Sequence, residues 1–144
     1  STIDSMASQN LANTSWAFAK LLVRDPQLME AISTAAVLKM RDAIPKELSS
    51  TAWAYAKLGI EDATLLNAIA AEAINKISEC DAQTFSNLAW AFATLLLPPG
   101  PLLPVIAEQS FLKLADFDPQ ELANSAWAYA RLDYCDKPLC DAIS

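Results

Sequence analysis

The chain has 144 residues, is 53% hydrophobic, contains only two glycines and carries a formal net charge of −7. This length is sufficient for one domain with a sizeable core. The abundance of alanine, leucine and isoleucine and the scarcity of alternating apolar and polar residues favour packed helices over β-sheet. The acidic balance weakens the case for a nucleic-acid-binding protein without excluding it, because local charge matters more than the total.

One eleven-residue segment is repeated four times along the chain. The copies are LANTSWAFAKL (11–21), LSSTAWAYAKL (48–58), FSNLAWAFATL (85–95) and LANSAWAYARL (122–132). Their tryptophans, at intervals of 37 residues, are Trp16, Trp53, Trp90 and Trp127. A fixed period of this length is typical of stacked supersecondary units. The sequence therefore predicts one all-α domain over residues 1–144, an α-solenoid of stacked two-helix repeats.

The repeat register predicts where each unit and its first helix begin. It divides the chain into a partial unit (1–7), full units at 8–44, 45–81 and 82–118, and a second partial unit (119–144). In the last unit, Asp118 is the predicted N-cap, Pro119 the first helical residue and Glu121 the acidic residue of a capping box. In the second unit, Leu58-Gly59 marks the end of this helix.

A second helix is predicted in each unit, starting at Asp25-Pro26 in the first unit and at Asp62 in the second. Apolar residues recur in it at spacings that keep them on one helix face. The equivalent sets are Leu28, Leu65, Leu102 and Leu139; Ile32, Ile69, Ile106 and Ile143; Val37, Ile74 and Phe111; and Met40, Ile77 and Leu114. Both chain ends interrupt a unit and lack polar caps, so neighbouring subunits or further repeats are expected to cover them.

The first helix of each unit is apolar over most of its circumference, which predicts burial on several sides. We therefore interpret the four tryptophans as buried side chains that pack between units. The alternative is a row of indoles that serves as a stacking platform for bases. Late in the second helix, Lys39, Lys76 and Lys113 are expected to interact favourably with the dipole of that helix.

Two polar positions interrupt the apolar surface of the tryptophan helix, three residues before and four residues after each tryptophan. They are occupied by Asn13, Ser50, Asn87 and Asn124, and by Lys20, Lys57, Thr94 and Arg131. Because the two positions share one helix face, stacking forms a ladder of amides and hydroxyls beside a ladder of cations. Such a ladder could bind RNA, or it is an ordinary solvated face. Next to it, Thr14, Thr51, Leu88 and Ser125 vary in a way that could tune selectivity.

The third unit departs from the others in its loop, LLLPPGPLLP (95–104), which replaces a polar turn. Leu97, Pro98, Pro99 and Pro101 form an apolar, proline-stiffened segment that is a candidate docking site for another protein. The alternative is a loop that packs over its own core. Leu88 and Thr94 also break the repeat in this unit, and both are predicted to lie where the molecule meets a partner.

The core LANSAWAYARL (122–132), preceded by FDPQE (117–121), resembles the helical repeats of the octotricopeptide and heptatricopeptide families. The 37-residue period suits the heptatricopeptide description. The resemblance covers essentially the whole chain and implies an α-solenoid. It also implies binding of single-stranded RNA in plastids or mitochondria of algae and related protists, and an organellar location, as a soluble or peripheral protein, is expected on that basis alone.

Enzymatic, metal and cofactor sites are not predicted. The chain has no histidine, no glycine-rich phosphate loop and no CxxC pair, and its three cysteines (Cys80, Cys135 and Cys140) fit idle thiols. The longest apolar run (95–107) is too short and too rich in proline for a transmembrane segment. Two functions remain: a protein-binding scaffold within a larger organellar assembly, which is favoured, and a single-stranded RNA-binding array.

Overall fold

A computed structural model describes residues 7–98 and 100–133 of the chain. Within these residues the structure is all-helical, with seven α-helices, and contains no β-strand. The helices are α1 Ser8–Lys20, α2 Pro26–Leu38, α3 Pro45–Lys57, α4 Ala63–Asn75, α5 Ala82–Leu95, α6 Leu102–Leu112 and α7 Pro119–Arg131. Predictions for Pro99, Leu139, Ile143, Cys135 and Cys140 lie outside the described residues. None of the described helices is both long and apolar enough to cross a membrane.

The helices form two layers. The tryptophan helices α1, α3, α5 and α7 pack on one another in chain order and make the closest backbone contacts of the described structure. The second helices α2, α4 and α6 pack behind them, each against its own tryptophan helix, and α4 also packs against both α2 and α6. The predicted all-α fold and the stacked helical-repeat arrangement are therefore confirmed.

Aspartate side chains begin most of the helices, as the sequence predicts. The carboxylates of Asp25 and Asp62 accept hydrogen bonds from the backbone N–H three residues further on, at 3.2 and 3.0 Å. Asp118 accepts one from the N–H of Glu121 at 2.7 Å, and the Glu121 carboxylate accepts one from the N–H of Asp118 at 2.9 Å. The predicted capping box is thereby confirmed, and it satisfies backbone donors that the helix itself leaves unpaired.

Each tryptophan helix is followed by a residue in the left-handed conformation. The residues with positive φ at this position are Leu22, Gly59, Leu96 and Asp133, with φ between 53° and 69°. In the first three units the following N–H donates back to a carbonyl five residues earlier, for example Ile60 to Tyr55 at 2.9 Å. This is the Schellman arrangement, which usually carries glycine because a Cβ is disfavoured there. The predicted end at Leu58-Gly59 is confirmed.

The core lies between the two helix layers. Ile32, Ile69 and Ile106 are each fully buried, which confirms the apolar face predicted for the second helices. From the tryptophan helices, Tyr55 and Phe92 enter the same core. The Tyr55 hydroxyl donates a hydrogen bond to the carbonyl of Met29 at 2.5 Å, and burial, with a smaller contribution from Asp62, raises the pKa of Tyr55 above its ordinary value.

The second helices are shorter than the apolar pattern predicts. They end at Leu38, Asn75 and Leu112, and single turns of 3₁₀-helix follow at Met40–Asp42, Ile77–Glu79 and Leu114–Asp116. Met40, Ile77 and Leu114 therefore belong to these turns and not to the α-helix. Phe111 also departs from the predicted apolar face, since 44% of it is exposed.

The lysines that follow the second helices connect neighbouring units. The ammonium group of Lys76 donates to the backbone carbonyls of Ala43 (2.5 Å) and Arg41 (2.8 Å), and Lys113 donates to the carbonyl of Cys80 (3.0 Å). Lys76 and Lys113 each reach 33 residues back into the preceding unit. The sequence pattern suggested a role within the helix of each lysine, and the structure adds a link between units that this pattern did not reveal.

Candidate functional site

The tryptophan helices share one polar and aromatic face. Relative to each tryptophan, the positions seven before, three before and four after lie one to two turns away and on the same side of the helix. The position seven before the tryptophan holds Gln9, Lys46, Gln83 and Gln120, all of them exposed. It was not recognised from the sequence, although glutamine at three of four equivalent positions is a readable signal. We call the side chains at these four positions in α1, α3, α5 and α7 the tryptophan face.

An open groove of about 590 Å³ runs along the tryptophan face. Its lining combines two indoles, two lysines and five amide or hydroxyl side chains, from all four tryptophan helices. These residues are Trp16, Trp53, Lys20, Lys46, Asn13, Ser50, Gln83, Asn87 and Gln120. Among the described residues that line it there is no carboxylate, although the chain as a whole is acidic. The groove is therefore locally positive, and it brings Asn13, Ser50, Asn87 and Lys20 of the predicted ladder together, whereas their binding role stays a prediction.

The indoles are less buried than the sequence predicts. Trp16 and Trp127 are 44% and 45% exposed, and Trp53 and Trp90 are half-buried. The expectation that all four are enclosed between units is wrong, because alanines, not indoles, form the close helix contacts: Ala52 and Ala54, on either side of Trp53, are fully buried. Contact between units persists at Trp53 and Trp90, whose ring centroids lie 6.4 Å apart with planes inclined by 30°.

Cations lie over these rings. The ammonium group of Lys20 is 5.4 Å from the centroid of Trp16 and 5.9 Å from that of Trp53, so it lies between two successive indoles. The guanidinium of Arg131 is 5.6 Å from the Trp127 ring, and its Nε donates to the carbonyl of Ala93 at 2.9 Å. Such contacts are attractive because the ring face is electronegative.

The other two positions of this ladder, Lys57 and Thr94, make no such contact with a tryptophan ring in the described structure. Lys57 is exposed to solvent, whereas Thr94 is half-buried and its hydroxyl oxygen makes no hydrogen bond within the described part of the chain. Asn124 is half-buried on α7 and is not part of the groove lining. The ladder is thus irregular: its three cations are all exposed but differ in their contacts, and its third position holds no cation.

The positions beside the ladder do not face the groove. Leu88, Thr51 and Ser125 are buried, at 0%, 7% and 2% exposure, and the hydroxyl of Thr14 donates to the backbone carbonyl of Asn10 at 2.7 Å. The idea that this register tunes selectivity is wrong, because none of its side chains lines the groove and Thr51, Leu88 and Ser125 are buried. For the same reason, Leu88 does not mark a place where the molecule meets a partner.

The proline loop of the third unit is partly packed and partly exposed. Leu97 packs against the core, whereas Pro98 and Pro101 are exposed. Together with Gly100, these two prolines border a second groove of about 430 Å³, whose other wall is α4, including Ala71 and Ile74. The packing of Leu97 agrees in part with the alternative of a loop over its own core, and docking of another protein at this loop stays a prediction.

Cys80 is the free cysteine of the described residues, and it is buried. Burial raises the pKa of its thiol to about 11, with Asp81 and Glu79 adding to the rise and Lys113 opposing it. A thiol in this state is a poor nucleophile. The described residues also contain no cluster of three or more histidine, cysteine, aspartate or glutamate side chains that could hold a metal ion.

Comparison with protein families matches residues 1–144 to the RNA-editing substrate-binding complex 6 protein (RESC6) family. The chain belongs to the RESC6 family. The identification as an octotricopeptide or heptatricopeptide repeat protein is therefore wrong. Alanine-rich helix pairs with a bulky residue at a fixed period satisfy the packing of many solenoids, so the period does not distinguish one family from another. Comparison with curated proteins finds no match.

Proposed function

We propose that this member of the RESC6 family is a non-enzymatic helical-repeat subunit of an RNA-editing substrate-binding complex, and that its tryptophan face binds single-stranded RNA. The family description supports the first part. The observation that carries the second part is the groove of about 590 Å³ in which indoles, amides and lysines meet. The unit boundaries predicted from the repeat register belong to the same proposal.

The chemistry of the groove matches that of an unpaired RNA strand. Half-exposed indoles such as Trp53 offer a face on which a base can stack, which is worth about 1–3 kcal/mol per base. Asn13 and Asn87 carry both a donor and an acceptor and can pair with base edges. Lys20 and Lys46 supply positive charge for phosphates.

The net charge of −7 does not oppose this assignment, because the charges are separated in space. Acidic side chains cap helices at Asp25, Asp62, Asp81 and Asp118, in the loops between helices. The groove lining holds lysines and no carboxylate within the described residues. Acidic edges would repel RNA from the loops and leave the tryptophan face as the favourable approach.

A protein-docking function is the second candidate, and the groove at the proline loop favours it. Pro98, Gly100 and Pro101 face Ala71 and Ile74 across a space of about 430 Å³ that contains no charged side chain among its described lining. An uncharged, mostly apolar groove on a charged chain fits a partner protein better than RNA. Scaffolding through this surface is compatible with RNA binding on the tryptophan face, since the groove lies against α4 and not against a tryptophan helix.

The location of the protein is a further part of the proposal. A location in an organelle was expected from the octotricopeptide resemblance, and the match to the RESC6 family has overturned that resemblance. We retain organellar location as a prediction, and fractionation of cells followed by immunodetection tests it directly.

The experiment that tests RNA binding compares two variants with equal charge. Lys20→Ala/Lys46→Ala removes the cations of the groove, and Arg24→Ala/Arg41→Ala removes two exposed cations that do not line it. Fluorescence anisotropy with a labelled single-stranded RNA measures affinity over a range of salt concentrations. The slope of log K against log salt is negative, and each lost phosphate contact reduces its magnitude by about 0.7.

We expect the magnitude of this slope to fall by about 1.4 in the groove variant, which loses two cations. The control should keep the slope of the unmodified protein. Equal effects of the two variants would show that binding is a property of overall charge and not of the groove. Absence of binding to RNA near physiological salt would refute the proposal.

A further inference from the structure

We infer that the outward surface of the second helices binds an amphipathic helix of another protein, with lysine or arginine at the edges of its apolar stripe. We call this surface the outer face and define it as Glu30, Thr34 and Leu38 of α2 together with the equivalent residues one and two repeats later in α4 and α6. The inference rests on protein docking, the second proposed function, and names the chemistry of the partner. RNA binding by the tryptophan face does not depend on it.

The outer face is a continuous exposed surface. Its three positions in each helix are four residues apart, so they lie on one side of that helix, and all nine residues are exposed. Because α4 packs against both α2 and α6, equivalent positions of the three helices lie side by side. Leu38 and Leu112, which are 81% and 67% exposed, therefore flank Asn75. Exposed leucines at matching positions of two helices are typical of a protein interaction site.

The groove of about 430 Å³ lies at the centre of the outer face. All three outer-face residues of α4, Asn67, Ala71 and Asn75, line this groove. Ala70 and Gly100 also line it, and their small size leaves room for the backbone of a ligand to approach closely. The groove is therefore the place where a partner would insert, and the leucines on either side would extend the contact.

The architecture of the protein favours a helix as the occupant. The described elements are all helices, so they offer no strand edge to which an extended segment could add. Proline-rich segments dock against aromatic side chains, and the described lining of this groove contains none. The remaining mode is a helix that lays its apolar stripe into the groove, with Leu38 and Leu112 packing against its ends.

The charges of the outer face select a basic partner. Glu30 and Glu108 are the charged residues among the nine, and both are carboxylates. Neither forms an ion pair within the described residues, where Lys76 pairs with Glu72 instead. The ammonium groups of Lys76 and Lys113 donate to backbone carbonyls of the preceding unit. Lysine or arginine beside the apolar stripe of a partner would pair with the two glutamates, whereas RNA would be repelled.

Site-specific photocrosslinking identifies the chemistry of the partner. A benzophenone side chain is introduced at position 38, 112 or 22, and the protein is purified from its own cells together with its partners and irradiated. Leu22 is the matched control, because it is 67% exposed, as Leu112 is, and lies in the loop after α1. We expect positions 38 and 112 to be joined to one protein segment with apolar residues every three or four positions and basic residues beside them. Position 22 should not be joined to that segment.

Two variants with equal charge test the groove itself. Ala71→Arg places a cation in the groove, and Ala115→Arg adds the same charge at an exposed residue outside the outer face. We expect Ala71→Arg to lower the amount of the crosslinked protein that copurifies by about tenfold, against less than about twofold for Ala115→Arg. Both variants should bind a labelled single-stranded RNA as the unmodified protein does, so loss of docking and loss of RNA binding are observed separately.

A crosslinked segment without basic residues or without the apolar spacing would overturn the inference, as would equal retention by the two variants. Absence of protein crosslinks at positions 38 and 112, or crosslinks there to RNA, would also overturn it. If Ala71→Arg loses its helical circular dichroism, Glu30→Gln/Glu108→Gln is compared with Glu61→Gln/Glu79→Gln, which neutralises two exposed glutamates outside the outer face. The first pair should lose the partner and the second should retain it.

Discussion

The ammonium group of Lys113 donates a hydrogen bond to the backbone carbonyl of Cys80, 33 residues earlier, with an Nζ–O distance of 3.0 Å. Lys76 makes the same contact with Ala43 one repeat earlier. In each case the lysine ends a second helix and reaches the residue that follows the 3₁₀ turn of the preceding unit. These lysines therefore stabilise the stacking of units and are not available for phosphates on the tryptophan face.

Replacing Lys76 by methionine should lower the free energy of unfolding by about 1–3 kcal/mol. The change removes the donor for the carbonyls of Ala43 and Arg41 and the ion pair with Glu72, while the apolar part of the side chain is kept. Urea denaturation followed by circular dichroism measures the effect. Lys57→Met is the matched control, because Lys57 is exposed and should change stability by less than about 0.5 kcal/mol. Equal effects would contradict the role of Lys76 between units.

Replacing Leu96 by glycine should stabilise the protein by roughly 1 kcal/mol. Leu96 has a φ of 53° and is 58% exposed, so the substitution relieves an unfavourable left-handed conformation and loses little buried surface. Thermal denaturation checks this as a rise in Tm.

The reverse exchange tests the same argument in the second unit. Gly59 has a φ of 69°, and a Cβ there would meet no atom within 4 Å, so Gly59→Ala is disfavoured by the backbone alone. We expect Gly59→Ala to lower Tm while Leu96→Gly raises it. Shifts in the same direction would show that the left-handed position does not limit stability.

The aromatic side chains of the tryptophan helices should differ sharply in their contribution to stability. Phe92 is 1% exposed, and Phe92→Ala should cost about 3–5 kcal/mol, as for other large-to-small core substitutions. Trp16 is 44% exposed, and Trp16→Ala should cost less than about 1 kcal/mol. Chemical denaturation of both variants measures the difference. A loss at Trp16 as large as that at Phe92 would mean that the indole is buried after all.

Stability should fall between about pH 9 and pH 11 because of Cys80. A cysteine thiol has an ordinary pKa of 9.0, and burial raises the pKa of Cys80 to about 11 in the folded protein. Above pH 9 the unfolded chain releases this proton and the folded protein retains it, so the unfolded state is favoured as pH rises. The contribution is complete below pH 9 and is lost once pH passes 11.

Lysines titrate in the same range, so the measurement needs a matched variant. Unfolding free energies of the unmodified protein and of Cys80→Ala are compared from pH 7 to pH 11. The unmodified protein should lose more stability over this range than the variant does. Parallel curves would show that the thiol does not couple to folding.

The parts of the fold that depend on local chemistry could be predicted from the sequence. Asp118 and Glu121 form the expected capping box, Gly59 ends its helix, and the equivalent isoleucines, such as Ile69, enter the core. Helix caps, left-handed glycines and apolar periodicity depend on residues that are close in the chain, so they can be recognised in a single sequence.

What the sequence could not provide depends on the distance between helices. A helix that is apolar on most sides predicts burial of both its alanines and its tryptophan, but helices in close contact accommodate Ala54 and displace the large indole of Trp53 toward the groove. The reach of Lys76 into the preceding unit likewise depends on how the units stack. The repeat pattern also could not identify the family, because unrelated solenoids share the same packing.

Ultraviolet crosslinking of the protein to a single-stranded RNA, followed by mass spectrometry of the crosslinked peptides, tests RNA binding by the tryptophan face most directly. If this face holds RNA, crosslinks should concentrate on residues that line the groove, such as Trp16, Lys46, Trp53 and Asn87. Crosslinks confined to the second helices α2, α4 and α6 or to the acidic loops would contradict RNA binding by this face.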